Sequence, residues 1–343
     1  MQLLDHLGDI RAEEARVGPE QLKTARAALL REIARTRGNP GRARHRRRFG
    51  TGFGRGRSGA IAAGALAVVA IVTGAIVAPA PGTMPAASAA EVLKRASASV
   101  LTSVSAADAP LAAGQYLRIV ATRTAITSDG TGPDSVPESA AFATRNVTTL
   151  YVPADRDEDW IRETESEEIT GVYGPDGEAF LRRVKAEPST AETGVVAIPA
   201  GVEAFGDTSQ PIDPYRDSYD DMPRDPAALL DWFQAQTPSG YEGLAILNAL
   251  DQNLPPANLR AAMLGALARI EGIALVTEEG SLATIQQTRG DRTQQFVVDT
   301  ESGLIVSVIE PQRYPNDIVP DGTPDARVTL TMSIVDSAPL PTS

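Results

Sequence analysis

The spacing of hydrophobic positions changes along this chain, and each change marks a segment. Leu3, Leu4, Leu7 and Ile10, then Leu22, Leu29, Leu30 and Ile33, recur at helical spacing. They predict one or two short amphipathic helices within residues 1–36, with Pro19 and Glu20 opening the second. Residues 59–78, GAIAAGALAVVAIVTGAIVA, form a 20-residue stretch without a charge. At 1.5 Å per residue such a helix is about 30 Å long, the thickness of a bilayer's hydrocarbon core. It is predicted to be a transmembrane helix whose lipid contacts come from Gly59, Ile61, Leu66, Val68, Val69, Ile71, Val72, Ile76 and Val77. A Pro/Ala spacer follows at 79–88.

Beyond it the periods are those of a folded domain over residues 89–338. A helix starts near Ala89, with Val92, Ala96, Val100 and Val104 on one face. After Gly114, Leu117, Ile119 and Ala121 alternate with Arg118, Val120 and Thr122, which predicts a half-buried strand. Further strands are expected at Ala141–Val152, Trp160–Glu168 and Gly177–Val184. Residues 185–225 are acidic and Pro-rich and predict a long loop. Helices are then expected at Pro226–Gln236, Gly243–Asp251 and Pro256–Ile270. Strands follow at Gly272–Glu278, Leu282–Arg289, Thr293–Asp299, Leu304–Glu310 and Arg327–Val335, with Asp299–Gly303 as a hairpin connection. Strands, then helices, then strands predict an α+β domain: a mainly antiparallel sheet with one face covered by helices.

Charge gives the anchor a direction. Residues 37–58 hold eight arginines and no acidic residue; Arg42, Arg44, Arg46, Arg47, Arg48, Arg55 and Arg57 stand closest to the apolar stretch. Positive flanks stay in the cytoplasm, which predicts an inner N-terminus and an outer C-terminal domain at the plasma membrane. Residues 1–58 carry a net +8 and the remainder a net −20, so the overall −12 conceals two opposed halves. A cleavable signal peptide would place a shorter apolar core nearer the start. The basic linker needs no nucleic-acid partner, because topology and anionic headgroups account for its arginines. Rich in Ala, Gly, Arg, Asp and Pro and poor in Lys, the composition suggests a GC-rich bacterial genome such as an actinobacterium's.

Several residue runs together resemble a known group. They are Pro226-Ala-Ala-Leu-Leu, Leu254-Pro-Pro-Ala-Asn-Leu-Arg-Ala-Ala-Met-Leu, Gly272-Ile-Ala-Leu-Val and Phe296-Val-Val-Asp-Thr-Glu-Ser-Gly-Leu. Ala89-Ala-Glu-Val-Leu leading to Gly114-Gln-Tyr-Leu, and the N-terminal Leu22-x-x-Ala-Arg-x-x-Leu-Leu, complete the set. The chain resembles an actinobacterial family of single-pass membrane proteins related to sigma-factor-linked regulators. The resemblance implies an outer domain like the half-barrel of LolA/RseB-like carrier and sensor proteins, and a cytoplasmic protein partner such as a sigma factor. It brings no catalytic residues. The zinc-binding His-x-x-x-Cys-x-x-Cys pattern of many anti-sigma proteins is missing, since the chain has no cysteine.

Chemistry is constrained by scarcity. The two histidines, His6 and His45, both fall on the cytoplasmic side, so the outer domain has no Ser-His-Asp or Cys-His arrangement and no His or Cys metal ligand. Gly54-x-Gly56-x-x-Gly59 matches a dinucleotide fingerprint in form, but no strand precedes it. Asp155-x-Asp157-x-Asp159 begins like a calcium loop, yet Trp160 stands where Gly is required and Ser166 where Glu is required. That run and the Asp213–Asp225 cluster read as solvated acidic turns. Asn146-Val-Thr148 is an acceptor sequon only in a glycosylating pathway. Trp160, Trp232 and Phe233 read as core or groove-lining residues. The expectation is a non-enzymatic sensor without cofactor or metal, holding a lipid or envelope ligand outside. A tethered lipid or lipoprotein carrier and a carboxylate-dependent cell-wall hydrolase are the alternatives.

Overall fold

The computed structural model describes residues 88–130, 139–186, 193–205, 208–289, 292–312 and 317–341. The one or two helices expected within residues 1–36, the arginine linker and the 59–78 stretch lie outside the described residues. Among the described residues no helix is long and apolar enough to cross a membrane.

Helix α1 (Ala89–Val100) starts where Ser88 can cap it. The Ser88 hydroxyl accepts from the Glu91 amide and the Glu91 carboxylate accepts from the Ser88 amide, a reciprocal capping box written in the sequence as Ser-x-x-Glu. Val92, Leu93, Ala96 and Val100 are buried on its inner face. The helix ends at Leu101, so Val104 does not extend that face and is 87% exposed.

Strands β1 (Tyr116–Ser128), β2 (Ala141–Pro153), β3 (Trp160–Thr164) and β4 (Glu168–Tyr173) come next. The expected single strand 160–168 is therefore two, because its halves pair with different parts of β2: β3 with Thr148–Tyr151 and β4 with Ala141–Arg145. Gly177–Ala186 is helix α2 and not the expected strand. Phe180, Leu181 and Val184 fall on one helical face against Phe142, with the Phe142 and Phe180 rings 5.5 Å apart, while Arg182 and Arg183 face solvent.

The expected loop at 185–225 also carries order. It holds strand β5 (Gly194–Ile198), the hairpin β6 (Val202–Phe205) and β7 (Thr208–Pro211), and two short 3-10 turns. Helices α3 (Pro226–Gln236), α4 (Glu242–Leu250) and α5 (Ala257–Leu267) follow within a few residues of expectation. Asp225 caps α3 by accepting from the Ala227 and Ala228 amides. The chain closes with β8 (Ile273–Glu279), β9 (Leu282–Arg289), β10 (Arg292–Asp299), β11 (Ile305–Glu310) and β12 (Ala326–Val335).

Ten strands form one antiparallel sheet in the order β5-β3-β2-β1-β12-β11-β10-β9-β8, with β4 beside β2. The first strands after α1 pair with the last, so β1 and β12 lie side by side over ten residue pairs. The register puts Leu117, Ile119, Leu150, Val152, Trp160 and Leu330 on one face. That same face, further along, presents Ala283, Ile285, Phe296 and Val298 to helices α1, α3, α4 and α5. The domain is thus α+β, an antiparallel sheet packed on helices.

Candidate functional site

A concavity lies where β1 begins and β2 ends. Residues 101–115 run from α1 to β1 across this corner. Ala106, Ala107 and Leu111 of that strap meet Leu117 of β1 and Val152 of β2 around a cavity of about 190 Å³. Arg156, two residues past Ala154, is the one charged side chain on its lining. A wider cavity of about 480 Å³ shares Pro153 and Ala154 with the first and is bordered by Gln115, Tyr116, Asp155 and Glu158. The two make one recess: the small part is walled by Ala, Leu and Val residues beside the Arg156 cation but exposes mainly polar atoms, and the broader part exposes mainly apolar surface with two carboxylates on its border.

Buried charges hold the recess in place. Arg260 of α5 is fully buried, and its two terminal nitrogens donate to both oxygens of Asp108 in the strap, at 2.8 and 2.6 Å. Arg260 also donates to the Pro255 carbonyl, and Ser105 donates to Asp108. Burial alone would raise the Asp108 pKa, but the hydrogen bonds from Arg260 and Ser105 and the Arg260 charge outweigh it, and the carboxyl is held below its ordinary value. The Nε of Arg260 has no hydrogen-bond partner, a cost tolerated where the pair fixes one arrangement of the strap.

Arg156 donates to the Leu254 carbonyl at 3.1 Å and lies 3.9 Å from Asp213. Its own carbonyl accepts from the Trp160 indole and from Arg216, so the turn after β2 is clamped from two sides. Asp213 corrects an expectation. It is buried, not part of a solvated turn, and both its oxygens accept from the Tyr219 hydroxyl at 2.8 and 2.7 Å. Burial pushes the Asp213 carboxyl up from its ordinary value despite Tyr219 and Arg156. Burial and the neighbouring carboxylate push the Tyr219 phenol up as well.

The other sequence candidates scatter. Asp155, Asp157 and Asp159 sit in the turn between β2 and β3, where the Asp155 carboxylate accepts from the Asp157 amide and Asp157 lies 3.7 Å from Arg216. Among the described residues no group of three or more acidic or histidine side chains could hold a metal ion. Asn146 donates to the Glu165 carbonyl and accepts from Thr148. Trp160 and Phe233 are fully buried; Trp232 is half-buried and joins Phe233 and Tyr215 in an edge-to-face cluster. The anchoring residues and juxtamembrane arginines lie outside the described residues.

The recess itself was not visible as a motif, because its lining comes from two stretches, 106–117 and 152–158, that only the pairing of β1 with β2 brings together. One signal was present: Arg260 is the single charge inside the otherwise uncharged helix ANLRAAMLGAL, a position that demands a buried partner. No protein family, no curated protein and no solved structure matches the chain.

Proposed function

We propose that this chain is a single-pass membrane protein that binds a ligand with its outer α+β domain and docks a cytoplasmic protein with residues 1–36, as a sigma-factor regulator would. One observation carries the reading: the uncharged stretch at 59–78, flanked on one side by eight arginines and no acidic residue, is separated by ten residues from Ala89, the first residue of a helix built into the domain core. The anchor thus runs by a short spacer into α1, and α1 runs directly into the strap that walls the recess. A ligand and the membrane segment are then joined by one continuous piece of chain. The antiparallel sheet carrying its helices on one face supports a half-barrel of the LolA/RseB-like kind. The role proposed is non-enzymatic.

A tethered lipid carrier stands second. The wider cavity, about 480 Å³, lies within the range of about 300–1,000 Å³ usual for small-molecule sites, but Asp155 and Glu158 on its border are poor neighbours for an acyl chain.

Crosslinking in living cells followed by recovery of the full chain tests the proposal. A cytoplasmic protein, a sigma factor foremost, should copurify with the full chain and be lost when residues 1–36 are deleted. Recovery of no cytoplasmic protein would remove the signalling role.

A further inference from the structure

We propose that Asp213 and Arg156 form a proton-operated switch beside the recess. While Asp213 is ionised, it holds the Arg156 guanidinium back. When one proton from solvent neutralises Asp213, the guanidinium is freed toward the recess. This goes beyond the ligand-binding reading, since the switch works with or without a ligand.

The supply of donors is the first argument. An ionised carboxylate has about four acceptor sites. Asp213, its side chain 4% exposed, receives one phenol proton shared between its two oxygens, from Tyr219 at 2.8 and 2.7 Å, and the Tyr215 amide at 3.3 Å. Arg156 stands 3.9 Å away, too far for a hydrogen bond but close enough to attract. A buried carboxylate so thinly supplied takes up a proton readily, and burial pushes it up from its ordinary value.

Position is the second argument. Arg156 keeps one-third of its side chain exposed and lines the smaller cavity. Once Asp213 is neutral, the guanidinium keeps its hydrogen bond to the Leu254 carbonyl at 3.1 Å and loses its paired charge. Its main chain stays fixed, because Arg216 and the Trp160 indole both donate to the Arg156 carbonyl.

The neighbouring charges are otherwise engaged. Arg216 lies 3.7 Å from Asp157 and 3.2 Å from Asp217. Arg260 of α5 acts on Tyr219 by its charge and is paired with Asp108. The Asp155 carboxylate accepts from the Asp157 amide, and Asp155, Asp157, Glu158 and Asp159 are exposed on the turn after β2. Among the described residues, Asp213 is the buried acid paired with Arg156.

The test uses the full chain in lipid nanodiscs with isotope-labelled tryptophan, its two indole N–H signals followed by NMR. The Trp160 indole donates to the Arg156 carbonyl at 3.1 Å and so reports on this turn, and Trp232→Phe assigns it. Its signal should show a transition between about pH 4 and 8, with a midpoint above the ordinary aspartate value of about 3.9. Asp213→Asn, which keeps an acceptor for Tyr219, should abolish that transition. Arg156→Gln should raise its midpoint by about one unit, because the cation favours the ionised form. Coupling is reciprocal, so that shift also measures how far protonation loosens Arg156. Tyr219→Phe should raise the midpoint as well. A Trp160 signal that stays flat, a transition that persists at the same midpoint in Asp213→Asn, or a midpoint unmoved in Arg156→Gln or in Tyr219→Phe would each overturn the inference. Such a failure leaves copurification of a cytoplasmic protein untouched, and loss of copurification leaves the titration untouched.

Discussion

Arg260 and Asp108 stand 152 positions apart in the chain and meet as a two-pronged ion pair, nitrogen to oxygen at 2.8 and 2.6 Å, with the arginine wholly inside the protein. Removing one partner of such a pair strands the other charge in a low-dielectric interior. Asp108→Ala should therefore lower unfolding free energy by about 3–5 kcal/mol, measured by urea denaturation. Replacing both residues with apolar ones of similar volume should restore much of the loss. An equal loss in the double variant would show that packing, not the charge, holds the strap.

The same pair sets an acid limit. The folded Asp108 pKa lies below its unfolded value, so its contribution is full above the unfolded pKa and is lost as pH falls through the lower folded pKa. Wild type should lose stability relative to Asp108→Asn as pH drops below about 4. Parallel stability curves for the two proteins across that window would contradict this.

Asp213 should behave with the opposite sign. Its folded pKa is raised by burial, so the native state holds the proton more tightly, and the associated stability is lost as pH rises through the folded value. Wild type compared with Asp213→Asn should look relatively better near pH 4 than near pH 7 in thermal unfolding. A difference that is flat or grows with pH would reverse the assignment.

Much of this fold is legible in the sequence, and the reasons are local. The helical spacing of Val92, Ala96 and Val100, the alternation Leu117–Ile119–Ala121 and the Asp-Thr-Glu-Ser-Gly turn between β10 and β11 each encode one element within a few residues. What failed failed for tertiary reasons. Phe180, Leu181 and Val184 form an apolar group too short to separate helix from strand by period alone, and the contact with Phe142 decides it. Strand β5, Gly-Val-Val-Ala-Ile, has the β-branched composition of a strand but is only five residues long within an acidic, Pro-rich stretch, and it pairs with β3. Asp213 reads as one more surface acid; the Tyr215 amide, the Tyr219 hydroxyl six residues on and the distant Arg156 are its partners in the interior. The recess has no linear motif, and its one trace in the sequence is the lone charge of Arg260 in an otherwise uncharged helix.

Two turns link helices to the sheet and are open to test. Asn253 sits at φ 52°, and its side-chain amide donates to the Ile305 carbonyl and accepts from the Ile305 amide, both at 2.8 Å. Asn253→Ala should cost about 3 kcal/mol, since it orphans two buried backbone groups and strains a left-handed residue. Gly303, at φ 67°, lies so close to α1 that a Cβ would overlap Val100. Gly303→Ala should cost about 2 kcal/mol or more. Wild-type melting temperatures for both variants would refute these two contacts as structural ties.

The central claim is a matter of sidedness, and the absence of cysteine from the chain makes it directly measurable. Single cysteines are placed at Val104, which is 87% exposed in the folded α+β domain, and at His6 in the N-terminal segment. Intact cells are then treated with a membrane-impermeant maleimide. Val104→Cys should label at once and His6→Cys only after lysis. Labelling of His6→Cys in intact cells, or protection of Val104→Cys, would contradict the account.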